Sequence, residues 1–408
     1  MVVRPRARAA RGVVQGRRTL DIPERYVRLC LRVGRHLEDF VDAYIGPSEW
    51  QGAVNAEDPV DPGQLHDEAQ AMLGALGDAE LENDRRRWLR AQLEAVECIS
   101  ARLAGAEMAW ADEVERCLGV RPARTDSSVF GEVHERLDEA LPGTGDVRER
   151  YVAWDADNAV PRPKLLTALD RLREVLGPRA HELATMPAEE SVAYETTSDV
   201  PWIAFNRYEG GFHSRVEVNV DLPISVALLV DLTAHEAYPG HHTERAAKER
   251  HLYRDLGRPE TSVVITPAPE SVISEGIGLI ALEEAFGQQP FEAVAEALTD
   301  IDVRFDPGEA DAVHRAEIAL YAVGTNAAFM LHEDGATTEE VEGYVRRWDL
   351  GSDEKAAHTV EFLSDPSSRA YVPAYPQGRR LCRDFSDRAP GNFTRLLTEQ
   401  LTPADLLD

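Results

Sequence analysis

Lysine is nearly missing from this chain. Lys164, Lys248 and Lys355 are the only three among 44 basic residues, and the rest are arginine. That skew reads as the coding bias of a GC-rich genome, with a salt-adapted surface as the alternative. Cysteine is almost as scarce: Cys30, Cys98, Cys117 and Cys382 lie far apart and form no CxxC pair. The spacing excludes a disulfide framework and points to reduced thiols in the cytoplasm. No stretch approaches the about 20 consecutive apolar residues that a membrane span needs. Positive charge is short as well, 44 basic against 73 acidic residues, for a formal net charge of −29. A field of that sign repels phosphate backbones and anionic lipid, so neither nucleic acid nor a membrane surface is expected as a main partner.

What is present is an ordinary globular composition, 43% hydrophobic and 29% charged, in a chain long enough for one to three domains. Residues 1–20 carry six arginines but no apolar core of the kind a secretory signal has, and are expected to form a flexible arm. Residues 21–190 read as a helical region and 191–408 as the region bearing the chemistry, the two being separate domains or lobes of one.

Apolar residues recur at helical spacing from Pro23 to Tyr44, over Leu81–Leu103, Ser127–Leu141 and Pro163–Leu176. Further helices are expected at Pro269–Phe286, Phe291–Phe305, Glu309–His332, Thr338–Trp348 and Ser352–Leu363. Near Ser191 the texture changes. Pro201–Arg207 and Phe212–Val220 are short β-rich runs joined by Glu209-Gly210-Gly211, the pattern of a β-hairpin. The fold expected is therefore mainly α, a helical bundle with a small β-hairpin or sheet.

After the hairpin, Pro223 opens an apolar helix, Ile224–Tyr238, that runs into His235-Glu236-Ala237-Tyr238-Pro239-Gly240-His241-His242. In the pattern H-E-x-x-H, two histidines one helical turn apart grip zinc while the glutamate acts on water. Here the i+4 position is Pro239, which cannot ligate. On a regular helix His241 would lie about 9 Å along the axis from His235, too far for one ion with Zn–N bonds near 2.0–2.1 Å. Proline, however, has no N–H to give the carbonyl four residues back, and glycine tolerates unusual backbone angles. Expelling Pro239-Gly240 from the helix as a bulge would leave H-E-A-Y-H-H and bring His241 into register. His235 and His241 are thus expected as metal ligands, Glu236 as the base, and His242 as a group that polarises a substrate oxygen. A wider bulge would exchange His241 and His242.

A zinc site needs a third protein ligand and an open position. Ser271-Val272-Ile273-Ser274-Glu275-Gly276-Ile277-Gly278 is an apolar helix interrupted by one carboxylate among small residues, which allow close approach of another helix. Glu275 is the expected third ligand and Glu270 the alternative. Glu244, one turn past His241, is placed either to orient a ligand histidine or on the surface. Two imidazoles and a carboxylate suit Zn²⁺, with other divalent transition metals possible. Tyr371 and Tyr375, with Arg369 and Arg379, form a cluster near the C-terminus that can close over the site. The hydroxyl of Tyr375 is the candidate for stabilising an oxyanion.

The run Asn219-Val220-Asp221 to His242, followed by Ser274-Glu275-Gly276, resembles the bacterial domain-of-unknown-function family numbered 885. The likeness extends to Asp42-Ala43-Tyr44-Ile45-Gly46-Pro47 and to Tyr371-Val372-Pro373-Ala374-Tyr375-Pro376-Gln377-Gly378. Such proteins look like distant members of the gluzincin metallopeptidase group, which implies a small sheet beside a gluzincin-like metal helix. It also implies an edge strand that binds the substrate backbone by strand addition, for which Phe212–Val220 is the candidate. The expectation is a zinc-dependent, peptidase-like hydrolase acting on a small peptide or amide. The alternatives are a metal-binding protein without catalysis and a helical interaction protein.

Overall fold

The computed structural model describes residues 21–200, 202–221 and 223–407. The expected arm at residues 1–20 lies outside them. The described chain is mainly α, with two small sheets. Among the described residues no helix is long and apolar enough to cross a membrane.

The first helix, Ile22–Val33, is set by Asp21, whose carboxylate accepts the amide of Glu24, and by Pro23 in the first turn. It stops far short of Tyr44. The chain folds back at Gly34, where a Cβ would lie 2.9 Å from the Val41 side chain, and passes through Asp39 at φ +60°. Val41–Tyr44 is instead a strand, β1. Its partner is the antiparallel Val263–Ile265, more than 200 residues on. That partner, β5, leads straight into the helix that carries Glu275. β1 thereby joins the N-terminal region to the segment bearing the candidate ligand.

The other expected helices are present with boundaries moved by a few residues: Asn83–Leu103, Ser127–Ala140, Leu165–Leu183, Pro269–Phe286, Pro307–His332, Thr338–Trp348 and Asp353–Ser364. The one expected over Phe291–Phe305 spans Pro290–Thr299. The chain leaves it through Asp302 at φ +56°.

The expected hairpin is present as β3 (Ala204–Gly210) and β4 (His213–Asn219), antiparallel, with a register shift at Tyr208/Gly210. Gly210, Gly211 and Phe212 all take positive φ in the turn. A third strand, β2 (Ser191–Thr197), pairs parallel with β4, giving the order β2-β4-β3. This corrects the expectation that Phe212–Val220 is an open edge. β4 is central, its backbone groups are taken on both sides, and it has none left for strand addition. The outer strand next to the helix Val226–Glu236 is β3.

Three main apolar clusters form the interior, and each draws residues from both sides of residue 190. The helix Pro269–Phe286 runs between them, buried almost without break from Ser271 to Leu282. Its glycines make the close approaches. A Cβ on Gly276 would sit 2.4 Å from the Gly378 carbonyl, and one on Gly378 would sit 2.2 Å from the Val272 carbonyl. The helix Ala374–Arg388 therefore crosses in near backbone contact and carries Tyr375 to the Glu275 region.

Candidate metal centre

The helix Val226–Glu236 begins at Ser225, whose side chain accepts the Leu228 amide, and ends at the motif. There the hydrogen-bond offset grows. Ala237 N–H donates to the Thr233 carbonyl four residues back, Tyr238 reaches the same carbonyl five back, and Gly240 donates to Ala234 six back at 2.9 Å. Thr243 still donates six back, to Ala237 at 3.3 Å, before Glu244 restores the four-residue step to Gly240. Two surplus residues are thus accommodated, as the proline argument requires. The surplus accrues at Tyr238 and Pro239 rather than at Pro239-Gly240. Gly240 has a different task. A Cβ there would lie 1.9 Å from the His235 carbonyl oxygen and 2.4 Å from that of Ala234, so only glycine lets the second helix, His241–Lys248, start so close to the first.

The break brings the His235 and His241 rings to 4.6 Å between centroids, at 84° to each other. Glu275 meets both: its Oε2 lies 3.3 Å from His235 Nε2, and its Oε1 lies 3.8 Å from His241 Nε2. One ligand atom from each of the three residues falls within 4.8 Å of the others. Gly278 permits this from below, since a Cβ there would be 2.5 Å from the His235 ring. The imidazoles are 12% and 14% exposed, against 6% for Glu275, so what little access to solvent the group has is on the histidine side.

Further residues fix these groups. Tyr371 donates to Glu275 Oε1, while Oε2 is buried with no hydrogen-bond partner. Ser274 Oγ lies 3.2 Å from His241 Nδ1 and donates to Glu244 Oε2 at 2.6 Å. Asn206 on β3 donates to the carbonyl of Glu236 at 2.5 Å, occupying one of the acceptors that a helix end leaves free. Asp42 on β1 sits 3.4 Å from Arg245, and burial raises its carboxyl above the usual range.

The electrostatics follow from burial and from crowded negative charge. Burial pushes the Glu236 carboxyl up to about 7; His235 opposes the rise, while Glu275, Asp42 and Asp231 add to it. Burial and the neighbouring His235 bring His241 down to about 4. Burial also works against charge on His235, but the adjacent Glu275 outweighs it and lifts that ring to about 9. The Glu236 carboxylate has no hydrogen bond among the described residues; only its backbone carbonyl is engaged, by Asn206.

Other expected residues lie elsewhere. His242 is one step along the helix from His241, about 100° around it, and has no exposed surface. Its Nδ1 is 2.8 Å from Ser214 Oγ and its Nε2 is 2.8 Å from Glu190 Oε2. With both nitrogens engaged inside the protein, it cannot polarise a substrate oxygen, and the exchange with His241 does not arise. Glu270 is held by Lys248 at 2.9 Å, not by the histidines. Arg369 and Arg379 pair with Glu113 and Glu283. Tyr375 is half-buried, edge-on to Tyr371 at 5.5 Å and stacked on Tyr321 at 5.3 Å. Burial and the charge of Glu275 raise its hydroxyl well above the ordinary phenol value.

Sequence reasoning did not single out Asp42, Asn206, Ser274 or Arg245, and it knew Tyr371 only as part of a cluster. Asp42 and Ser274 stand inside the runs that carry the family resemblance; for Asn206 nothing local signals a contact with the helix Val226–Glu236.

No protein-family profile matches the chain, and no curated protein does. Among solved structures it is similar to a candidate lipoprotein from Colwellia psychrerythraea, with TM-score 0.53 and 15% identity over 85% of this chain. The match spans 66% of that protein's length, and it is a likeness of fold alone. A candidate lipoprotein of unknown function from Shewanella oneidensis aligns at TM-score 0.46 and 11% identity, covering 85% of this chain and 75% of the other. An M32 carboxypeptidase from Deinococcus radiodurans R1 aligns at TM-score 0.36 and 9% identity, covering 92% and 87%.

Proposed function

We propose that the chain is a zinc-dependent hydrolase that cleaves a peptide or amide bond. The observation that carries this reading is the convergence of Glu275 on both histidines, 3.3 Å from His235 Nε2 and 3.8 Å from His241 Nε2, with one ligand atom of each residue within 4.8 Å of the others. Buried polar groups crowded this closely are costly to leave unshared, and a cation satisfies all three at once. His235, His241 and Glu275 are the residues that would hold it, and two nitrogens with one oxygen suit zinc, or another divalent transition metal.

Bound there, zinc supplies Lewis acidity, polarising a substrate carbonyl and making water more acidic. Glu236 takes the proton from the attacking water and returns it to the leaving amine, a task for which a carboxyl pushed up to about 7 is well matched. Tyr371 fixes the orientation of Glu275. Tyr375 is the residue proposed to donate to the developing oxyanion. A metal site without catalysis has no use for the unengaged Glu236 beside its first ligand. The four cysteines are free thiols, which fits the cytoplasm as the compartment.

The test is Glu236→Gln assayed on short peptides with free and blocked termini. Zinc content should stay at the wild-type level while hydrolysis drops by about 10²–10⁴-fold. Undiminished turnover in that variant rejects the assignment.

A further inference from the structure

Glu275 is not the only contribution its helix makes to the centre. The residue before it, Ser274, lies 3.2 Å from His241 Nδ1 and 2.6 Å from Glu244 Oε2. Glu244 has no exposed surface. Its other oxygen accepts from Lys248 Nζ at 2.7 Å, and the same ammonium reaches Glu270 at 2.9 Å. The line therefore runs His241, Ser274, Glu244, Lys248, Glu270, three of them one turn apart on a single helix and the other two on the helix facing it.

Proton counting gives this line a direction. A carboxylate paired with a buried ammonium is ionised and can only accept. Ser274 has one hydroxyl hydrogen, and the 2.6 Å contact commits it to Glu244. Only lone pairs remain on Oγ for His241, so Nδ1 must be the nitrogen that carries hydrogen. A neutral imidazole with Nδ1–H keeps its free lone pair on Nε2. That is the nitrogen facing Glu275. Glu244 does not reach the ring itself, since its nearest oxygen is 4.0 Å from Nδ1.

We propose that Ser274 is a positioning residue that, held by the Glu244–Lys248 pair, locks His241 in the Nδ1–H tautomer and so aims Nε2 at the cation site. This deepens the metal-site reading by naming what orients one ligand, and it makes two consecutive residues of one helix, Ser274 and Glu275, serve the two histidines.

The experiment uses the full chain, metal-free and labelled with ¹⁵N-histidine. Long-range ¹H–¹⁵N correlations report which ring nitrogen is protonated, and the His241 signal is assigned by its loss in His241→Gln. Wild type should show Nδ1–H. Ser274→Ala, a removal of one oxygen, should show an Nε2–H or mixed form, with zinc affinity in a competition titration lower by about 10–100-fold. Nε2–H in wild type, or Ser274→Ala with an unchanged tautomer and zinc affinity within twofold, overturns the proposal. If Ser274→Ala does not fold, the wild-type tautomer decides alone. Because that measurement needs no metal, wild type that shows Nδ1–H but binds no zinc would sink the hydrolase reading and the cation site with it, while leaving Ser274 as the residue that sets the His241 tautomer.

Discussion

Gly240→Ala is the sharpest mechanical perturbation the helix break allows. The added Cβ would lie 1.9 Å from the His235 carbonyl oxygen, a backbone atom that cannot swing away. Real Cβ contacts do not fall under 3.0 Å, so the two helices must part by about 1.1 Å, the difference between 1.9 and 3.0 Å. Metal-ligand distances tolerate about 0.2 Å. A Zn–N bond near 2.1 Å stretched by that opening is no bond, so the variant should behave as though one histidine were lost. Zinc affinity should fall at least about 100-fold, and overpacking at the break should cost about 1–3 kcal/mol of stability. Zinc competition titration and thermal unfolding read the two effects. Gly343→Ala is the control, because a Cβ there meets nothing within 4 Å inside the helix Thr338–Trp348; it should leave zinc binding alone and stabilise by roughly 0.5–1 kcal/mol. Gly240→Ala with zinc affinity within threefold of wild type and an unchanged melting temperature would refute the reasoning.

Two further outcomes follow from charge. The base must be ionised to act, so kcat/KM should fall on the acid side. Its carboxyl is pushed up to about 7 without a cation, and a nearby cation favours the charged form, so the limb should lie at or below pH 7; a midpoint above 7.5 would contradict Glu236 as base. Glu190 is held down to about 2 against burial by hydrogen bonds from His242, Tyr238 and His181. A depressed folded-state value means a stabilisation present above the unfolded value near 4.5 and lost as pH falls toward 2. Denaturant titrations of Glu190→Gln should show lower stability at pH 7, with the deficit shrinking between pH 5 and 2; a deficit that is constant with pH would show that the charge is not the cause.

Some of this was legible in the residues. The break was readable because Pro239 lacks an N–H and Gly240 lacks a side chain, both local facts with a local consequence. The place of Glu275 beside the histidines was readable because a single carboxylate in an apolar helix needs a partner. The β strands that were missed depend on distant partners. Phe40, Val41 and Tyr44 continue the helical period of the first helix, and only β5, more than 200 residues on, draws Val41–Tyr44 into a sheet. β2 turns the expected edge into a central strand by the same kind of long-range pairing. His242 was misread because its direction depends on helix phase after the break, which the motif does not specify. Asn206 touches the Glu236 carbonyl from another element, and no sequence period announces such a contact.

The most direct test is zinc anomalous diffraction from crystals of the wild-type chain grown with one equivalent of the metal. The account requires a single peak per chain bonded to His235 Nε2, His241 Nε2 and a Glu275 oxygen at about 2.0–2.2 Å. A peak elsewhere, or none while those side chains keep their present places, would contradict it.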